Sequence, residues 1–177
     1  NMTYTLIAHT ELASAQANIE FTSIPATFTD LLLVVSVRSV GIGAGNGMLM
    51  ALNTSTANFS WRMLYGQGSG SGVSINNTSS FSGVFYTGSG DTSNTFASGQ
   101  VYFPNYRSSV AKSYSADGVT ENNATGAFQG ILAGLWNNTA AISSIRLFTA
   151  DAANWAQFSS ATLYGITAGS SGGVVVS

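Results

Sequence analysis

Apolar and polar positions alternate along this chain in short runs bounded by Gly, Asn, Ser or Pro, the pattern of half-buried β-strands. Val101 and Phe103 lie opposite Gln100 and Tyr102, and Ile145 and Leu147 lie opposite Ser144 and Arg146, so each run offers one face to a core. Strand character runs through Tyr4–His9, Asn18–Ser23, Leu31–Arg38, Met48–Asn53, Trp61–Gly66, Phe81–Thr87, Gln100–Pro104, Ala111–Asp117, Ala127–Trp136, Ser143–Ala150 and Gln157–Ile166. With some of these merging, the expectation is an all-β chain: about ten strands in an antiparallel β-sandwich, with a jelly roll as the candidate arrangement. Leu31–Val35 is an unbroken apolar run. It is expected as a central strand buried on both faces, or with one face on the core and the other against a second subunit. Its inward set is either Leu32 and Val34 or Leu31, Leu33 and Val35. Glu11–Ala17, rich in Ala, reads as a short helix or as a connection between two strands.

Two stretches break the alternation. Gly66–Gly72 alternates Gly with Gln and Ser and reads as a loop, and Ala168–Gly173 has linker composition. The expected organisation is therefore a single sandwich domain over residues 1–166 and a flexible Gly/Ser-rich tail over 167–177. The tail closes on Val174, Val175 and Val176. These β-branched residues are either a frayed terminus or a strand that adds to a neighbour's sheet edge, which makes them candidate partner contacts.

Composition supports strands over helices, because Gly, Ser, Thr and Asn make up 78 of the 177 residues and all four weaken helix interiors. Hydrophobic residues at 45% and aromatics at 11% are enough for a core, which argues against disorder. Charged residues are only 7% and the net charge is −2. Arg38, Arg62, Arg107, Lys112 and Arg146 stand singly, so no nucleic-acid partner is expected. No apolar run approaches the roughly 18 residues of a spanning helix, so no membrane partner is expected either. With no cysteine, disulfides and thiolate metal sites are absent, and stability must come from packing or oligomerisation. The opening Asn1–Tyr4 has neither the basic nor the apolar region of a cleaved signal.

Catalytic chemistry finds little to work with. His9 is the single histidine; it lies far from any Gly-x-Ser-x-Gly elbow and reads as a strand-end residue with a local hydrogen bond. One histidine without cysteine excludes a zinc site. Oxygen-rich turns at Asp91–Asn94 and at Asp117 with Glu121, Asn122 and Asn123 could in principle meet calcium, but Asx turns arise for backbone reasons. Asp117 and Glu121 are the one close pair of acids for glycoside hydrolysis, and Gly118 between them suggests a turn that exposes both. No catalytic residue, cofactor or metal ligand is assigned. For sugar binding without hydrolysis, aromatic faces that stack on pyranose rings are the requirement. The candidates are Trp61, Trp136, Trp155 and Tyr106, with Tyr86 and Tyr102 behind them, against the alternative that these rings fill the core.

The segment Ser23–Val34, following Tyr4–Ala8, resembles a group of small structural proteins of tailed phages common among aquatic and cyanobacterial viruses. Tyr102–Tyr106, Ser113–Gly118, Ala133–Asn137 and Ala161–Ile166 match the same group in the same order, so the resemblance spans residues 4–166, and the tail from Thr167 departs from it. The resemblance implies a non-enzymatic β-sandwich on the virion surface, with no active-site motif to carry over. Capsid decoration or cement proteins and tail-fibre domains both belong to that class. Its implied partners are further copies of the chain, with a trimer by family analogy, and the major capsid protein or another virion protein. A host surface glycan is the partner if the chain is a fibre tip. A chain that starts directly on a strand, without the coiled coil a fibre uses to reach the tail, is expected on the capsid. A glycan-degrading enzyme ranks third.

Overall fold

The computed structural model describes residues 3–43, 45–123 and 126–168. Twelve strands form, and no helix occurs among the described residues. In chain order they are β1 (Thr3–Glu11), β2 (Ile19–Phe21), β3 (Asp30–Val37), β4 (Gly47–Leu52), β5 (Phe59–Gln67), β6 (Val73–Asn77), β7 (Phe81–Phe85), β8 (Ala97–Phe103), β9 (Lys112–Val119), β10 (Phe128–Trp136), β11 (Ile145–Thr149) and β12 (Ser160–Thr167). Every segment with strand character in the sequence lies on one of them. β6 is the addition: Ser74, Asn76 and Asn77 hide its alternation, and it forms because β5 offers an edge to pair with, in the register Met63 to Ile75. Glu11–Ala17 is a connection, with β1 running to Glu11 and Leu12 buried beyond it.

An eight-stranded sheet, β1-β12-β3-β8-β9-β10-β5-β6, packs on a four-stranded one, β2-β11-β4-β7, with all pairings antiparallel. The pairs β1–β12, β2–β11, β3–β8 and β4–β7 are nested, as in one long hairpin rolled on itself, which is the jelly-roll connection. The hairpins β5–β6 and β9–β10 are insertions into that roll. They pair with each other through β5 and β10, from Phe59–Trp136 to Gln67–Phe128, and lengthen the large sheet beyond β8.

The core lies between the sheets. Leu31, Leu33, Val35 and Val37 of β3 face it, as do Met48, Met50 and Leu52 of β4 and Ile145 and Leu147 of β11. Val34 is exposed and Leu32 half-buried, so β3 is interior in strand order yet buried on one face only. β7 packs across β8, β9 and β10. Its Gly83 has φ +97°, and a Cβ there would fall 2.5 Å from the Cβ of Ala116, so glycine is what lets the small sheet approach the inserted hairpin. Aromatic pairs fill the same region, with Trp61 edge-on to Phe81 at 5.2 Å and Phe59 stacked on Trp136 at 6.4 Å. Lys112, 1% exposed, donates from Nζ to the carbonyls of Ser108 at 2.6 Å, Val110 and Asn138 at 3.4 Å. It ties the loop before β9 to the turn after β10, and burial pushes its pKa down. Val174–Val176 lie outside the described residues.

Candidate functional site on the large sheet

Antiparallel register carries one outward row across the whole eight-stranded sheet. Leu6 of β1 pairs with Tyr164 and then Leu32 and Tyr102. The row continues through Ser115 and Ala133 to Arg62 and Asn76. The neighbouring row runs from Val34 through Gln100, Asp117, Ile131 and Leu64 to Ser74. Side chains are large at Tyr102, small at Ser115 and Ala133, and large again at Arg62. The surface therefore sinks over β9 and β10 into a groove of about 780 Å³, with Tyr4 at one end and Ser74 at the other. The floor and one wall come from the inserted hairpins, so the site is added to the roll and takes no part in closing it.

Hydrogen bonds fix the wall residues. Tyr102 donates its hydroxyl to Asp30 Oδ2 at 2.8 Å, and Asp30 Oδ1 accepts from the Asn105 N–H at 2.8 Å. Burial, then that hydrogen bond and the carboxylate's charge, push the Tyr102 phenol up to about 12. Gln100 Nε2 donates to Asp117 Oδ1 at 2.8 Å. Arg62 is exposed, with no hydrogen-bond partner among the described residues. Ile131 is 61% exposed and Leu64 56%, where an antiparallel sheet facing only water carries polar side chains.

The aromatic residues singled out in the sequence for sugar stacking are elsewhere. Trp136, Trp155 and Tyr106 are fully buried and Trp61 is 8% exposed, so none offers a ring face to a ligand. Trp61 and Trp136 occupy inward positions of β5 and β10. Trp155 anchors the connection into β12, its Nε1 donating to the Leu147 carbonyl at 3.1 Å, and Tyr106 donates its hydroxyl to the Pro25 carbonyl. Tyr86 is also buried. Tyr102 alone of the candidates reaches the groove, as its alternation with Val101 and Phe103 indicates. Arg62, Leu64, Gln100 and Ile131 were legible only as outward positions; what joins them is the β5–β10–β9–β8 pairing, which sequence does not carry.

Asp117 lies in the groove, and it also lines a second depression beside β5, β9 and β10 together with Glu121, which stands past the end of β9 and accepts from the Asn123 N–H at 2.7 Å. Both Asp91 oxygens face donors: Oδ2 accepts from the Gly88 N–H at 2.7 Å and Oδ1 from Asn122 Nδ2 at 3.0 Å. The two oxygen-rich turns are thus joined to each other by hydrogen bonds. His9 Nδ1 and the Thr162 hydroxyl share a hydrogen bond of 2.8 Å. Among the described residues no group of three or more His, Asp or Glu side chains is placed to hold a metal ion, and no helix is long and apolar enough to cross a membrane. No protein-family model, curated protein or solved structure matches the chain.

Proposed function

We infer that the chain is a non-catalytic structural protein of a tailed-phage virion, seated on the capsid surface as a decoration or cement protein and assembled there as a homo-oligomer, with a trimer suggested by family analogy. Beside the resemblance over residues 4–166, the observation that carries this reading is where the charges sit. Arg38 donates to the carbonyls of Gly88, Thr92 and Thr95, Arg107 to that of Ala26, and Lys112 is buried. Arg146 lies over the Phe148 ring at 5.2 Å. Four of the five cations thus serve the chain's own fold. Arg62 and the carboxylates of Glu11, Glu20, Asp117, Glu121 and Asp151 are exposed, but with charged residues at 7% the outer surface is sparsely charged and in places apolar. Ile42 is 71% and Phe158 60% exposed, on loops joined by the Val40 N–H to the Asn154 carbonyl at 2.9 Å and the Ala156 N–H to the Arg38 carbonyl at 2.7 Å.

A surface of this kind binds by apolar burial and neutral hydrogen bonds, which salt leaves largely intact. Particles washed in about 1 M salt, where the Debye length is about 3 Å, are expected to retain the protein; its release there refutes the reading. Cryo-electron microscopy of the source particle is expected to place it on the shell, as an oligomer. Asp117 accepts from Gln100 Nε2 and Glu121 from the Asn123 N–H, so the two carboxylates are engaged separately. Release of reducing ends from a host polysaccharide would overturn the non-catalytic part. A receptor-binding fibre tip is the second reading, favoured by the groove. Saturable binding to host cells together with antibody labelling of the tail tip would move the assignment there.

A further inference from the structure

We propose that the groove on the outer face of the large sheet binds a neutral oligosaccharide, whichever part of a virion the chain occupies. A pyranose presents an apolar C–H face and a rim of hydroxyls, so its site needs flat or aliphatic surface next to fixed donors and acceptors. Tyr102, Ile131 and Leu64 supply the first here, and Gln100, Asp117 and Arg62 the second. Three of these groups are already ordered. Tyr102 is held by Asp30, and Gln100 and Asp117 hold each other across β8 and β9 at 2.8 Å. This lowers the entropy cost of engaging a ligand. The Gln100–Asp117 bond occupies Nε2 and Oδ1, leaving Gln100 Oε1 and Asp117 Oδ2 to accept from sugar hydroxyls. From β1 to β6 the sheet crosses seven strand spacings, about 34 Å. That is longer than one sugar, so the ligand is a chain lying across the strands.

The other ligand classes fit less well. A peptide strand needs free main-chain groups, and those of β8, β9 and β10 are paired on both sides. A nucleic acid or other polyanion needs several cations, and the lining has Arg62 alone, balanced by Asp117. That balance is why a neutral sugar is favoured over an acidic one.

The test uses the full chain on an immobilised array of neutral hexose, N-acetylhexosamine and deoxyhexose oligosaccharides beside uronic-acid and sialylated ones, with calorimetric titration of the neutral glycans that bind. Gln100→Ala, Arg62→Ala and Ile131→Ser all lie on the solvent face, and unchanged melting temperatures verify their folds. Each is expected to weaken binding by about tenfold or more, and Phe158→Ser, away from the groove, to leave it unchanged. Absence of millimolar binding to any neutral glycan, binding to acidic glycans alone, or affinity unmoved by the groove variants would each overturn the proposal. So would an oligomer that Ile131→Ser dissolves, because the face would then be a subunit interface.

Discussion

Replacing Gly83 with alanine tests the approach of the small sheet to the inserted hairpin, which supports the groove from behind. At φ +97° any L side chain is strained, and the new Cβ would lie 2.5 Å from Ala116 Cβ and 3.0 Å from Leu132 Cβ. The backbone strain costs about 1.5 kcal/mol. Moving β7 off β9 and β10 to relieve the overlap costs about 2 kcal/mol more, a typical overpacking penalty. Together these amount to about 3.5 kcal/mol, and at about 2–4 °C per kcal/mol for a chain of this length the melting temperature falls by about 7–14 °C. Thermal unfolding followed by far-ultraviolet circular dichroism reads the shift. Ala116→Gly removes the methyl that the new Cβ meets but leaves the φ strain. The double variant is therefore expected to be less destabilised than the sum of the singles, by about 1–2 kcal/mol for side chains in contact. A Gly83→Ala protein that melts within about 2 °C of the wild type, less than about 1 kcal/mol, would refute the packing of β7 described above. Strictly additive single variants would place the cost in the backbone alone.

The two faces of β3 should respond differently: Leu33→Ala removes a fully buried side chain and should cost about 2–5 kcal/mol in urea melts, while Val34→Thr on the solvent face should stay within about 0.5 kcal/mol. Equal effects would mean the register is shifted by one residue. Stability should also fall as pH rises beyond about 10, because burial raises the phenol pKa of Tyr86, Tyr106 and Tyr114, and burial with the Asp30 bond takes Tyr102 up to about 12. A raised folded-state pKa gives stability that is complete below the unfolded value and lost through the folded one. Lys112, lowered by burial, works in the opposite sense, but with one proton against four. Urea midpoints that hold level from about pH 9 to about pH 12 would contradict these burials.

Alternation determined the strands. Val101 and Phe103, Ile145 and Leu147, and Leu31, Leu33 and Val35 all turn inward, because a period of two leaves a strand only two choices of face and burial selects the apolar one. Low charge with many small polar residues likewise indicated an all-β chain. Pairing was decided by tertiary structure, since hydrogen bonds between strands carry no sequence label. β6 exists because β5 has an open edge, and the nested roll with two inserted hairpins follows from which edges meet. The same cause separated the candidate aromatics from the site. Trp61, Trp136, Trp155 and Tyr106 suit a sugar by chemistry, but inward positions and loop anchors bury them. Arg62, Gln100 and Ile131 are unremarkable one at a time, Asp117 stood out only beside Glu121, and the four are spread along the sequence. They share a groove because four strands from three parts of the chain align their outward rows, and alignment between strands belongs to the fold alone.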